Sequence, residues 1–117
     1  MNLEKEFITM FTVTRKSTLK NGNARVWIEG KDLIKFGIKR NDRFDRQILA
    51  EGQIILKFNP NGKYKVSGKG DNNPIIDLTG AYLNPFLLGS NFYNVSFIKA
   101  SELPETNQDI IAIKRSA

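Results

Sequence analysis

The sequence predicts one domain, residues 1–117, that is mainly β with short helices and consists of two internal repeats, residues 11–57 and a divergent copy at 64–114. Two observations lead to this prediction. Apolar and polar residues alternate in short runs, which is typical of strands with one buried face. The runs also come twice in the same order, as two strands, a short helix and two more strands.

The first half of each repeat is a pair of strands followed by a short helix. The first strands are FTVTRK from Phe11 and YKVSGK from Tyr64, and each runs from an aromatic residue to Lys. The second strands lead into a glycine and a short helix, in VWIEGKDLIKF from Val26 and IDLTGAYLNPF from Ile76. Because proline is poorly tolerated inside a helix, Pro85 should leave the second helix distorted or nearly absent.

Two further strands close each repeat. FDRQI aligns with FYNVS, and QIILK aligns with IIAIK, with changes of spacing that loops can absorb. Each match alone is weak because apolar strands resemble one another, but all four matches keep the same order. The alternative is a meander of unrelated strands in a small barrel, which is still an all-β domain with short helices.

Composition argues against an enzyme and against a bound metal. The chain has no Cys and no His, so it lacks thiolate nucleophiles, the usual zinc ligands and the usual general base. The carboxylates do not cluster: Asp42 and Asp45 flank a turn, and Glu102 and Glu105 lie in a predicted loop. The stretch GKYKVSGKG, from Gly62, has one residue too many between its glycines for a phosphate-binding loop. We expect no catalytic residue, no metal and no cofactor.

Nothing in the sequence indicates a membrane protein. It contains no apolar run of about 18 residues. The first ten residues, MNLEKEFITM, are acidic and amphipathic, unlike the positively charged and then apolar start of a signal peptide. We therefore expect neither a membrane span nor a signal peptide, and a cytoplasmic location.

Positive charge is concentrated in the first repeat. Residues 11–57 have a balance of +6, which equals the net charge of the whole chain. Clustered charge of one sign favours a polyanionic partner, most commonly nucleic acid in the cytoplasm. The alternative is a basic face that only serves solubility. The basic residues are Arg15, Lys16, Lys20, Arg25, Lys31, Lys35, Lys39, Arg40, Arg43, Arg46 and Lys57, against Glu29, Asp32, Asp42, Asp45 and Glu51.

The stretch RVWIEGKDLIKFGIKRNDRFDRQILAEGQIIL resembles the AbrB-type swapped-hairpin element. The shared features are a strand that begins with Arg, a short helix that ends with the spacing of Leu33, Gly37 and Ile38, and a closing QIIL strand. The turn at Asn41 stands in place of the usual Gly-Asp. The spacing of Gly30 and Leu33 is closer to the SymE-type toxin branch of that superfamily. The second repeat is a fainter copy of the same element.

The resemblance implies a swapped-hairpin β-barrel. In that superfamily two copies, normally from a homodimer, interleave their hairpins, and two tandem copies would let one chain form a monomeric pseudodimer. Glu29-Gly30 departs from the pattern, because AbrB-type strands usually have proline there. Trp27 alternates out of phase with its neighbours, so we expect it outside the barrel, with packing favoured over base stacking. The predicted core is Val13, Val26, Ile28, Phe44, Ile54, Leu56, Val66, Ile76, Leu78, Phe92, Val95, Ile111 and Ile113.

The resemblance also implies a nucleic-acid surface on the first repeat, because AbrB-like proteins mostly bind DNA through basic residues of the first strand, its loop and the next strand. By motif position these residues are Arg15, Lys16, Lys20, Asn21 and Arg25, and the Asn- and Gly-rich loop is expected to be flexible.

Other basic residues are secondary candidates for this surface. Lys65 and Lys69 belong to the second repeat, whose surface is poorer because Gly68 and Pro74 stand where the first repeat has arginines. The residues of the first helix and the turn after it either extend the basic surface or only solvate the helix. These residues are Lys31, Lys35, Lys39 and Arg40.

The leading hypothesis is a small cytoplasmic nucleic-acid-binding protein, a regulator or toxin-like protein that binds double-stranded DNA in preference to RNA. RNA cleavage, described for SymE-type proteins, would lack a histidine here. The alternative is a protein inhibitor, for example phage-encoded, that binds an acidic partner in a host defence or nucleic-acid-processing complex through its basic face.

Overall fold

The computed structural model describes residues 11–49, 52–70, 72–99 and 108–116. Residues 1–10, Glu51 and the loop with Glu102 and Glu105 lie outside the described residues. The helical segments are α1, Lys31–Phe36, and α2, Asn84–Leu87, which follows a 3₁₀ turn at Ala81–Leu83. The strands are β1 Phe11–Lys16, β2 Thr18–Lys20, β3 Asn23–Glu29, β4 Arg43–Leu49, β5 Gln53–Phe58, β6 Tyr64–Lys65, β7 Ser67–Gly68, β8 Pro74–Thr79, β9 Phe92–Ile98 and β10 Ile110–Arg115.

The strands form two antiparallel sheets. One has the order β1-β9-β10-β5-β4-β6 and the other has the order β2-β3-β8-β7. The chain passes from the first sheet to the second at Ser17 and again, at the opposite edges, at Val66. The prediction of a mainly β domain with short helices is confirmed, but the described residues do not form a closed barrel.

Hydrogen-bonded ladders join the two predicted repeats. β1 pairs with β9, and β6, the first strand of the second repeat, pairs with β4. β3 pairs with β8 and β5 pairs with β10, so strands with the same place in each repeat lie side by side. Residues 11–57 therefore complete neither sheet without strands from residues 64–114.

One hydrophobic core connects strands of both sheets with α1 and α2. Most of the predicted core residues are buried, and Val13 is half-buried against the cluster. Phe92 was predicted wrongly, since it is 48% exposed, whereas Tyr93 is buried. The reason is strand parity: Phe92 and Val95 are an odd number of residues apart, so one regular strand cannot turn both toward the same face.

The two short helices end differently. After α1, Gly37 adopts φ 95°, and the N–H groups of Gly37 and Ile38 donate to Ile34 and Leu33 in a Schellman motif. The second helical segment breaks into the 3₁₀ turn and the four residues of α2, where Pro85 lies in the first turn. The distortion predicted from Pro85 is therefore confirmed.

Candidate nucleic-acid interface

An open groove of about 320 Å³ lies where β1 passes into β2 beside β3. Antiparallel pairing of Thr18 with Arg25 brings the end of β1 next to the outer face of β3. On β3, Arg25 and Trp27 alternate with the buried Val26 and so face outward. We call this site the β1–β3 groove, and its lining residues are Arg15, Lys16, Thr18, Arg25, Trp27 and Tyr93.

Arg25 is held in a fixed orientation by Asp77 of β8. Its Nε and Nη2 donate to the two carboxylate oxygens of Asp77, each at 3.0 Å. Thr79 donates a further hydrogen bond to Asp77 at 3.1 Å. The hydrogen bond from Arg25 lowers the pKa of Asp77, and the same bond raises the pKa of Arg25. The predicted phosphate ligand therefore already has an anionic partner.

Trp27 and Tyr93 form the floor of the groove. The guanidinium carbon of Arg25 lies 4.5 Å from the centroid of the Trp27 ring, in a cation–π contact. The Tyr93 hydroxyl accepts a hydrogen bond from the Trp27 backbone N–H at 3.1 Å and donates one to the Trp27 carbonyl at 3.3 Å. Burial raises the pKa of Tyr93. The floor is thus a rigid assembly with one cation on an aromatic ring.

The rim of the groove carries Arg15 and Lys16. Arg15 forms an ion pair with Asp32 of α1 and donates to the Thr14 carbonyl at 3.2 Å, while 43% of its side chain stays exposed. Lys16 is exposed and has no ion pair with any described residue. Both sequence predictions therefore lie at the groove, but only the Lys16 ammonium is without a carboxylate there.

Lys20 and Asn21 lie at the tip of the β2–β3 hairpin. Asn21 and Gly22 have φ values of 53° and 81°, the positive pair of a tight two-residue hairpin turn. Asn84 braces the base of the hairpin, because its side chain accepts from the Ala24 N–H at 2.8 Å and donates to the Asn23 side chain at 3.0 Å. The tip is therefore a two-residue turn between β2 and β3, and its flexibility stays a prediction.

The remaining first-repeat candidates lie away from the groove. Lys35 lies over the Phe11 ring at 4.3 Å, at the opposite end of β1 from Lys16. Lys31 begins α1, and Lys39 and Arg40 belong to the turn before β4. The Lys39 backbone N–H donates to the Asp42 carboxylate at 2.8 Å. None of these four basic residues lines the groove.

The second-repeat candidates, Lys65 and Lys69, lie at the opposite edges of both sheets. The predicted strand Tyr64–Lys69 is split, because the chain crosses between sheets at Val66 and leaves two strands of two residues. Lys65 lies on β6, which forms the edge of the first sheet across from β1. The second-repeat lysines therefore do not extend the β1–β3 groove.

Strand register identifies the second-repeat residues that take the place of the groove residues. Lys16 is the last residue of β1 and pairs in the strand register with Phe92, the first residue of β9. In the same way, Lys65 is the last residue of β6 and pairs with Arg43, the first residue of β4. Tyr64 then stands in the place of Arg15, where the sequence alignment gave Gly68.

The same comparison applies to the second sheet. Thr18 begins β2 and faces Arg25, as Ser67 begins β7 and faces Ile75. Ile75 then stands in the place of Arg25, as the alignment of Val26 with Ile76 also implies. The residue predicted for this place, Pro74, lies one position earlier. We call Tyr64, Lys65 and Ser67, together with the buried Ile75 and Phe44, the counterpart surface. Asp77 takes the place of Trp27, but it belongs to the β1–β3 groove through its ion pair with Arg25.

A different cluster of aromatic residues lies beside the counterpart surface. The Arg46 guanidinium is 4.4 Å from the ring centroid of Tyr64 and 4.0 Å from that of Tyr82. Burial raises the pKa of Tyr82. Sequence reasoning missed this cluster, and it missed Asp77 and Tyr93 as parts of the groove, because their partners lie far away along the chain.

No protein-family model matches the chain, and neither a curated protein nor a solved structure matches it. Neither helical segment of the described residues is long and apolar enough to cross a membrane. The same residues contain no cluster of three or more acidic, His or Cys side chains that could hold a metal ion.

Proposed function

We propose that the chain is a small nucleic-acid-binding protein, a regulator or toxin-like protein, and that it binds through the β1–β3 groove. The observation that carries this proposal is the composition of the groove, where Arg15, Lys16 and Arg25 surround the one tryptophan of the chain. Nucleic acids offer phosphates to the cations and flat bases to an aromatic floor. No catalytic step is part of this proposal.

In this proposal Lys16 and Lys20 supply the main phosphate contacts. Both are exposed, and neither forms an ion pair with a described residue. At Arg15 and Arg25 a phosphate would first have to displace a carboxylate, which removes part of the electrostatic gain. We therefore expect the two lysines to contribute more to the salt dependence of binding than the two arginines.

The finer architecture is also a proposal: an AbrB-like swapped-hairpin fold, closest to the SymE-type branch, in which the two repeats form a monomeric pseudodimer. The ladders that join β1 with β9 and β6 with β4 support it, because interleaved hairpins pair in this reciprocal way. The resemblance favours DNA over RNA as the partner and the cytoplasm as the location.

The experiment is an electrophoretic mobility-shift series on duplex DNA, single-stranded DNA and RNA at several salt concentrations. The variant K16A/K20A should bind at least about tenfold more weakly and lower the salt slope by up to about two units, since each phosphate contact contributes roughly 0.7–0.9. The matched control is K65A/K69A, which removes the same charge from the corresponding places of the second repeat. Equal losses in both double variants, or no binding to any polymer, would contradict the proposal.

One observation favours the alternative function, an inhibitor that binds an acidic protein. A second open groove of about 240 Å³ adjoins the first at Thr18 and places the exposed Leu19 and Leu88 beside the basic residues. Exposed apolar side chains next to charge are typical of protein interfaces. Pull-down from a bacterial lysate with and without nuclease separates the two functions, because a protein partner that survives nuclease treatment supports the inhibitor.

A further inference from the structure

We infer that the β1–β3 groove binds an unpaired base of a single-stranded nucleic acid, stacked on the guanidinium of Arg25. This inference rests on the proposed function and specifies the class of polymer. Arg25 then acts as a flat platform for the base, and the phosphates on either side of that base lie near the rim and hairpin lysines. The geometry of Arg25, Trp27 and Asp77 carries the argument.

The Nε–Nη2 edge of the Arg25 guanidinium is occupied by the Asp77 carboxylate. Asp77 accepts from both Nε and Nη2 at 3.0 Å, which is the bidentate arrangement that a phosphate would otherwise use. A phosphate bound to the same two donors would lie next to the Asp77 carboxylate, and the two negative charges would repel each other. Only the Nη1 donors and the second Nη2 donor remain for a phosphate, and Asp77 already neutralises the guanidinium charge. Arg25 is therefore a weaker phosphate ligand than an unpaired cation, although its position in the sequence predicts that role.

The hydrogen bonds to Asp77 leave the flat faces of the Arg25 guanidinium available for stacking. One face rests on the Trp27 ring at 4.5 Å, and the side chain is still 26% exposed within an open groove. The bidentate hydrogen bonds fix the plane of the guanidinium, so little rotational freedom is left to lose when a base stacks on it. Guanidinium planes and aromatic rings are the surfaces on which proteins stack splayed nucleotides.

The surrounding charges fit a strand that crosses the groove. Lys16 lies on the rim, and Lys20 lies at the end of β2 beside the hairpin turn. The hydrogen bond from Arg25 lowers the pKa of Asp77 most, and the charge of Lys20 lowers it further. These ammonium groups lie at the β1 end and the hairpin end of the site. A duplex keeps its bases paired and stacked inside the helix, so only an unpaired base can reach the platform.

The test uses the unmodified protein and two oligonucleotides of equal length, one of thymidines and one of abasic sites with the same phosphate charge. We expect the thymidine strand to bind at least about tenfold more tightly at the same salt concentration, which corresponds to one stacked base. The salt slopes of the two strands should agree. The fluorescence of Trp27, the one tryptophan of the chain, should be quenched by the thymidine strand alone.

The variant Arg25→Lys keeps the charge and removes the plane. It should lose affinity for the thymidine strand and keep its affinity for the abasic strand. The matched control is Arg46→Lys, which makes the same change at an arginine that lies on the Tyr64 and Tyr82 rings. Thermal unfolding of each variant checks that it is folded, and the comparison of strands on the unmodified protein needs no variant.

The outcomes separate the two proposals. Equal affinity for the thymidine and abasic strands, or tighter binding of duplex than of single strands, would overturn base stacking and leave nucleic-acid binding intact. Absence of binding to single strands, duplex DNA and RNA alike would overturn the proposed function and the stacked base with it.

Discussion

The β1–β3 groove and the counterpart surface occupy the same places in the strand pairing but present different chemistry. Where the groove has Arg15 on its rim, the counterpart surface has Tyr64, and the place of Arg25 is taken by Ile75. One backbone arrangement therefore supports a groove with Arg15, Lys16 and Arg25 in one place and a surface that keeps only Lys65 of these three charges in the other.

The difference extends to the helical segments. Arg15 pairs with Asp32 at the start of α1, whereas on the other side Tyr64 and Tyr82 enclose Arg46. Arg46 is thus used to hold two rings together, while the groove cations stay accessible at the surface. The basic residues of this chain therefore have two different roles, packing and surface charge, and their contacts distinguish these roles.

The largest effect is expected from separating the halves. A fragment of residues 1–57 lacks β9, the partner of β1, and also β8 and β10, which pair with β3 and β5, so it should be unfolded or should dimerise to replace them. Amide resonance dispersion and light scattering measure this, and the full chain should scatter as a monomer. A folded monomer of the fragment, or a stable dimer of the full chain at low concentration, would contradict the interleaved arrangement.

The next largest effect concerns binding, through single substitutions on each surface. Lys16→Ala should weaken nucleic-acid binding and reduce the salt slope by roughly 0.7–0.9, the contribution of one phosphate contact. Lys65→Ala, at the corresponding place, should change neither quantity measurably. Titrations by fluorescence anisotropy at several salt concentrations compare the two variants, and a larger effect of Lys65 would reverse the assignment of the surfaces.

A smaller effect, on stability and not on binding, is expected at Arg46. Arg46→Ala removes the cation between Tyr64 and Tyr82 and should lower the free energy of unfolding by about 1–2 kcal/mol, because a half-buried cation–π contact contributes about that much. Binding should be unchanged. Urea unfolding gives the first quantity, and a loss of affinity without a loss of stability would show that the aromatic cluster belongs to the binding surface.

The smallest effect is a pH dependence of the free energy of unfolding, which comes from the Arg25–Asp77 pair of the groove and has no equivalent in the counterpart surface. Arg25 lowers the pKa of Asp77 in the folded state, so the pair contributes stability in full above the unfolded-state pKa, near pH 4. That contribution is lost as the pH falls through the lower folded-state pKa. Asp77→Asn should therefore flatten the acid limb of stability measured by urea unfolding between about pH 2 and 5. An unchanged limb would mean that the pair contributes nothing.

Local patterns predicted the parts of the molecule that depend on neighbouring residues. Alternation placed Val26 and Ile28 in the core, and Pro85 indicated a broken second helix. The same alternation, applied without regard to parity, placed Phe92 inside by mistake. These features follow from the side-chain period of strands and from the missing N–H of proline.

Features that depend on distant partners could not be predicted. Asp77 reaches Arg25 only because β3 and β8 are adjacent, and the Tyr93 hydroxyl reaches the Trp27 backbone from a strand of the other sheet. From the sequence alone, a basic residue of β3 predicts a positive charge at the surface, but it does not predict which residue will pair with that charge. The cations of the groove were therefore predicted and Trp27 was expected to face outward, whereas Asp77 and Tyr93 were missed.

Amide chemical-shift mapping on isotope-labelled protein locates the nucleic-acid interface, since it observes both surfaces in one titration with a thymidine strand. We expect the largest shifts on residues 15–20 and 25–27 and on Asp77, with little change at residues 64–69 and 75. Shifts of equal size on both surfaces, or shifts confined to residues 64–69 and 75, would contradict the claim that the β1–β3 groove is the nucleic-acid interface.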